Sequence, residues 1–122
     1  MAAEGSTPVT SEQFRALCLR MPLAVEGEHK SHADFRVRGK IFATLPPADA
    51  QRRRWGVLKL TPAQQAGWME HQPDAWVPAA GQWGARGYTR VLLSRVRAAD
   101  AAAAVLAAWR NTAPAKLVAE FE

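Results

Sequence analysis

Apolar positions recur with helical spacing at both ends of the chain and change to strand-like spacing in the middle. Phe14, Leu17, Cys18 and Met21 fall at i, i+3, i+4 and i+7, one face of a helix. Thr10 stands just before them with Gln13 three residues on, the spacing of a capping box. Pro22 disfavours helical geometry in the residue before it, so this helix is expected to stop near Leu19 or Arg20. A helix of about ten residues is not stable alone, so its apolar face must pack on something. Residues 1–9, small and polar around one proline, read as a flexible lead-in to a single domain over 10–122.

From Ala24 to Leu60 the period shortens. Ala24–Glu28 is a weak strand, and Asp34–Val37 alternates charged and apolar residues up to a turn signal at Arg38-Gly39. Lys40–Leu45 follows as the second arm of a hairpin, with Gly39 supplying a positive φ. Two registers are open. A two-residue turn pairs Phe35 with Phe42, whereas a three-residue turn pairs Val37 with Ile41, and the choice decides which face Arg36 and Arg38 occupy. Pro46 to Arg53 is a loop, and Arg54–Leu60 is a further strand. Thr61-Pro62 is a strong helix start, and that helix runs to about Glu70 with Ala63, Ala66 and Met69 inward. Residues 73–87 are rich in turn formers. Tyr88–Val96 is the last strand. Asp100 is expected to cap a long helix whose inner face is Ala102, Val105, Leu106 and Trp109. A short helix after Pro114 turns Leu117, Val118 and Phe121 inward.

The order is one helix, four or five strands with a helix between them, then two helices. That is an α+β layout: an antiparallel sheet with helices packed on one face. Strands and helices do not alternate regularly, which argues against a doubly wound nucleotide fold.

Composition narrows the function classes. The chain has 122 residues, about one domain's worth, and 25 of its apolar residues are Ala. No apolar run approaches the ~18 residues of a membrane span. The N-terminus lacks the basic and apolar regions of a secretory signal, so a cytoplasmic location is expected. A single cysteine excludes an internal disulfide and a zinc-finger ligand set.

The net charge is +5, and its distribution matters more than its size. Residues 1–35 hold 3 basic and 5 acidic side chains, residues 36–97 hold 11 and 3, and residues 98–122 hold 2 and 3. The whole excess therefore lies in the middle, in Arg36, Arg38 and Lys40, in Arg52, Arg53 and Arg54, and in Arg86, Arg90, Arg95 and Arg97. Such a stripe is the footprint of a polyanion binder; a solvated surface is the plainer account of any one arginine.

Other constellations carry less. His29 and His32 are three apart near Glu26, Glu28 and Asp34, but the stretch is not helical, so they read as turn histidines and not metal ligands. His71 sits at a helix end, where a cation suits the helix dipole. Cys18 lies on the apolar face of the first helix and reads as a buried, unreactive thiol. No GxSxG elbow is present, so no serine nucleophile is indicated. GQWGARG (81–87) lacks the phosphate-loop lysine and precedes a strand, so it reads as a tight turn with Trp83 anchored on the core. Five tryptophans are many for this length. Trp55 and Trp83 sit beside Arg54 and Arg86, an interleaving that can bind polyanions.

Four segments together carry a resemblance: FRVRGKIFATL (35–45), WGVLKLTP (55–62), WGARGYTRVLL (83–93) and AWRNTAPAKLV (108–118). In their order the chain resembles the MmcQ/YjbR family over roughly residues 11–120. That resemblance implies a frataxin (CyaY)-like α+β fold and DNA binding by a double-wing arrangement of hairpins. The first wing would carry Arg36, Arg38, Gly39 and Lys40. A second basic element, placed on charge, is either the Arg52–Arg54 loop or Arg86 with Arg90. Frataxin-type iron binding does not carry over, because it uses an acidic first helix. Here Glu12 faces Arg15 and Arg20.

The expectation is a non-enzymatic DNA-binding domain without cofactor or metal, a monomer or weak homodimer, touching phosphates through Arg36, Arg38, Lys40, Arg52, Arg53, Arg54, Arg86 and Arg90. Replacing the three hairpin cations together is expected to leave the fold intact. The rival class is a protein-interaction or small-ligand module with a surface lined by Trp55, Trp76 and Trp83.

Overall fold

In the computed structural model, which describes residues 8–121, Thr10 caps the first helix as its spacing predicts. Its hydroxyl accepts from the Gln13 N–H, and the Gln13 side chain accepts in return from the Thr10 N–H. Helix α1 spans Ser11–Leu19. Strands β1 (Ala24–His29), β2 (His32–Val37), β3 (Lys40–Leu45) and β4 (Trp55–Lys59) follow, then α2 (Pro62–His71), β5 (Trp76–Pro78), α3 (Gly81–Ala85), β6 (Tyr88–Leu92), α4 (Ala98–Thr112) and α5 (Ala115–Phe121). The six strands form one antiparallel sheet in the order β1-β2-β3-β4-β6-β5. The class is α+β, as the pattern of elements predicts.

Cross-strand pairing separates the two faces. Phe35, Ala43, Leu58 and Thr89 are opposite one another in successive strands and all are fully buried. This is the face that α1 and α4 cover while packing on each other. Three alanines on the inner side of α4, Ala101, Ala104 and Ala108, are fully buried beside Val105 and Trp109. Small residues there let the helix lie close to the sheet. The α4 face is therefore rotated from the predicted one, and Leu106 is only half-buried. The Trp109 indole N–H donates to Pro22 O at 3.1 Å and ties α4 to the end of α1.

The opposite face runs through Gly27, Asp34, Thr44, Val57, Arg90 and Val77, one residue from each strand. Thr44, Val57, Arg90 and Val77 on it are half-exposed. This is the open face of the sheet.

The two hairpin registers considered above turn out to coexist. Val37 pairs with Lys40 and Arg36 with Ile41, the register of a two-residue turn, with Arg38 (φ 52°) and Gly39 (φ 80°) both left-handed. Beyond Arg36 a bulge inserts Phe42, so Phe35 pairs with Ala43, the register of a three-residue turn. The extra residue lets consecutive Phe42 and Ala43 both be buried. Lys30 and Ser31 form a second tight turn of the same left-handed kind between β1 and β2.

Other boundaries differ for identifiable reasons. Residues 73–87 contain β5 and α3, both too short to show a period. The last strand ends at Leu92, and Leu93 and Val96 are buried from the turn that follows. Arg97, not Asp100, is the cap residue of α4; Asp100 lies in its first turn and holds His71 Nε2 at 3.0 Å. Helix α2 turns Gln64, Gln65, Trp68 and Met69 inward and leaves Ala63 and Ala66 exposed. Gln65 explains this: its Nε2 donates to Gly84 O, Tyr88 O and Thr89 Oγ1. Trp68 stacks on Trp76 with centroids 4.9 Å apart and planes at 24°. Val9, assigned by sequence to the flexible lead-in, is buried and donates its N–H to Leu93 O. Of that lead-in, Pro8 is exposed and residues 1–7 lie outside the described residues. Phe121 is exposed, although its ring meets Trp109 at 5.2 Å. No helix among the described residues is long and apolar enough to cross a membrane.

Candidate nucleic-acid interface

Trp55 opens β4 and, by its pairing with Leu92, points to the open face. Two guanidinium groups lie on its indole: Arg90 at 4.6 Å from the ring centroid and Arg53 at 5.4 Å. Cation–π attraction of this kind fixes the direction of a long side chain without removing its charge. Register brings Arg90 there, two residues along β6 from Leu92, whereas the loop brings Arg53.

That loop is organised by Asp49. Its Oδ1 accepts from the N–H groups of Gln51 and Arg53, and its Oδ2 accepts from the Trp55 indole and from Arg53 Nε, both at 2.9 Å. These bonds, the indole donor first, hold the carboxyl of Asp49 down to about 2 against the burial that opposes them. Arg52 sits in this frame at φ 66°, a left-handed position that its own N–H bond to Asp49 O maintains.

At the other end of the same two strands, four residues or about 13 Å from Trp55, Lys59 pairs with Tyr88. Trp83 meets the Tyr88 ring edge-on at 5.2 Å, and the Arg86 guanidinium lies 5.4 Å from the Trp83 centroid. Trp83 is 53% exposed, so it anchors on Tyr88 and not in the core as the sequence suggested.

The hairpin cations separate. Arg36 grips Asp34 with two parallel bonds, Nε to Oδ1 at 2.9 Å and Nη2 to Oδ2 at 3.0 Å. Asp34 is fully buried, and the bond to it raises the guanidinium pKa above its ordinary value. Arg36 is thus engaged in an ion pair with a buried partner, so its replacement is expected to cost more than that of a free hairpin-tip cation. Arg38 and Lys40 are exposed at the tip. Arg38 also borders a cleft with Lys116 and Glu120 of α5. No ion pair engages Arg38, Lys40, Arg52, Arg54, Arg86 or Arg90 among the described residues.

The three tryptophans of the rival reading do not converge. Trp76 pairs with Val91, the neighbour of Arg90, so it points to the helix side of the sheet, where it is buried against Trp68. Trp55 lies on the open side beneath its arginines, and Trp83 stands at the far end. Sequence reasoning missed Lys59 and Asp49. The alternation of RWGVLKL places Lys59 on the Trp55 face and could have shown the first; nothing short of the folded loop shows the second.

A model of the YjbR family matches residues 19–111. The fold is also similar to the crystal structure of Deinococcus radiodurans protein DR2400, of family DUF419, with a TM-score of 0.69 and 15% identity over 89% of this chain and 80% of that one. No curated protein matches the sequence.

Proposed function

The chain belongs to the YjbR family, and on that premise we propose that it is a non-enzymatic domain that binds DNA by its phosphates across the open face of the sheet. The observation that carries the reading is the pair of cation–indole sets at the two ends of β4 and β6: Arg53 and Arg90 on Trp55, and Arg86 on Trp83. The indoles hold these guanidinium groups in place before a ligand arrives, so less freedom is lost on contact. Lys59 stands at the Trp83 end, paired with Tyr88, and Arg38 and Lys40 add exposed cations at the hairpin tip. Arginine suits the role because its planar fork meets phosphate oxygens in pairs. Nothing in the arrangement reads base edges, so affinity is expected to be uniform across sequences. The one thiol, Cys18, is unsuited to act as a nucleophile, because burial pushes its pKa far up and keeps it un-ionised.

The test is the salt dependence of duplex binding, read by fluorescence anisotropy. Arg53 is already paired with Asp49, so three phosphate contacts, from Lys59, Arg86 and Arg90, give a slope of log K against log salt of about −2.7. The double variant R86A/R90A should lower that slope by about 1.8 and weaken unrelated sequences equally. An unchanged slope in a folded R86A/R90A protein removes the open face from the mechanism, and absence of duplex binding at low salt refutes the function.

A further inference from the structure

At the Trp55 end of the sheet, a cleft of about 270 Å³ lies between the Arg52–Arg54 run and the start of α1. Ser94 and the first residues of the helix, Thr10 and Ser11, complete the part of its lining that bears polar side chains. Arg52, Arg54 and three hydroxyl residues thus border one small volume, Arg53 being turned onto Trp55, and no carboxylate lines it among the described residues. The volume is at the low end for ligand sites, which suits a small anion and not an extended cofactor.

Arg54 gives the cleft its chemical character. Its Nε is buried without a hydrogen-bond partner, and no ion pair engages its guanidinium among the described residues. A buried donor on a charged group calls for an acceptor, and an anionic oxygen is the strongest one. The chain on both sides is fixed: Arg54 O accepts from the Leu93 N–H, and Asp49 holds the loop through Gln51 and Arg53. The start of α1 is not the basis of the site, since its capping box already engages the Gln13 and Thr10 N–H groups. The arginines are.

We propose that this cleft is a binding site for a single phosphate group, with Arg54 and Arg52 as its cationic ligands and Thr10, Ser11 and Ser94 as hydroxyl donors. The site goes beyond the DNA reading and does not depend on it: the same chemistry is offered by free phosphate or by the terminal phosphate of a strand.

The experiment titrates the whole protein with inorganic phosphate at constant ionic strength and follows the melting temperature. A saturable rise, absent with chloride, is expected. R54Q should weaken binding by roughly tenfold or more, the worth of one charge-assisted hydrogen bond. Ser94 is exposed, so S94E tests the same cleft in a protein whose core is untouched; its carboxylate should abolish the rise. A 5′-phosphorylated oligonucleotide that binds better than its 5′-hydroxyl twin, with the advantage lost in S94E, assigns the site to a strand end. Equal binding of the two oligonucleotides, alongside the saturable effect of inorganic phosphate, assigns it to free phosphate. No saturable rise in the wild type, or a rise that persists in both R54Q and S94E, overturns the proposal. R86A/R90A separates the two readings, because it should lose duplex binding and keep the phosphate effect.

Discussion

Gly56 lies in β4 with the ring of Phe14 against its backbone. A Cβ built there would stand 2.5 Å from Phe14 Cζ, 2.7 Å from Cε1 and 3.0 Å from Cε2. Two effects of opposite sign follow from Gly56→Ala. Alanine in a strand interior is favoured over glycine by roughly 0.5–1 kcal/mol, because the unfolded chain loses less freedom. Overpacking a tight core costs about 1–3 kcal/mol. The geometry decides between them. Phe14 is fully buried and meets Phe35 edge-on at 6.4 Å, so its ring cannot withdraw without moving α1. The net expectation is a loss of about 0.5–2 kcal/mol. For a chain of this length that lowers the melting temperature by about 2–8 °C. Thermal and denaturant unfolding of the wild type, G56A, F14L and the double variant would measure it as a cycle. With the ring gone, G56A should become neutral or stabilising, and the coupling between the two sites should be about 1–3 kcal/mol. A G56A protein more stable than wild type, or an equal loss in both backgrounds, would refute the claim that this contact sets how closely α1 approaches the sheet.

Three further outcomes are expected. R36A should lower the melting temperature clearly more than R38A/K40A, since it strands the buried carboxylate of Asp34 whereas the tip cations have no ion-pair partner among the described residues; equal effects would show that the pair is not structural. Asp49 has a folded pKa of about 2, below the usual ~3.9, so its contribution to loop stability is complete above the unfolded value and is lost as pH falls through the folded one. The stability difference between wild type and D49N should therefore be full at neutral pH and shrink between about pH 4 and 2, a trend that thermal melts at stepped pH would show or deny. Cys18 should react with a thiol reagent only as fast as the protein opens, with rapid native-state labelling as the contrary result.

The sequence carried the fold where the signal was local. Thr10 with Gln13, Thr61 with Pro62, and Arg38 with Gly39 each marked a boundary by their own backbone chemistry, and the apolar spacing of Phe14 and Cys18 named core residues correctly. It misled where polar groups are buried by non-local partners. Gln65 turns inward to donate to Gly84 O, Tyr88 O and Thr89 Oγ1, and no hydrophobic period can show that. Strand β5 is three residues long and gains its place from non-local partners, the pairing with β6 and the stacking of Trp76 on Trp68. The candidate site divides the same way. The excess of cations in residues 36–97 was visible in the composition. The placing of Arg90 on Trp55 depends on the register of β4 and β6, so it waited for the fold. The engagement of Arg36 was readable in principle, because Asp34 and Arg36 are two apart on a strand and share a face.

The stacked indoles of Trp68 and Trp76 give this molecule an optical property of its own. Two such rings at 4.9 Å, with planes 24° apart, share their excitation, and shared excitation yields paired circular dichroism bands of opposite sign. The pair joins α2 to β5 on the helix side of the sheet, away from the arginines. Its signal therefore reports whether that packing is intact and stays constant when an anion occupies the open face. Trp83, exposed beside Arg86, is placed for the reverse: on the proposed function its emission should change when a strand is added. One unlabelled sample can thus be followed for core packing through the stacked pair and tested for the proposed binding through Trp83.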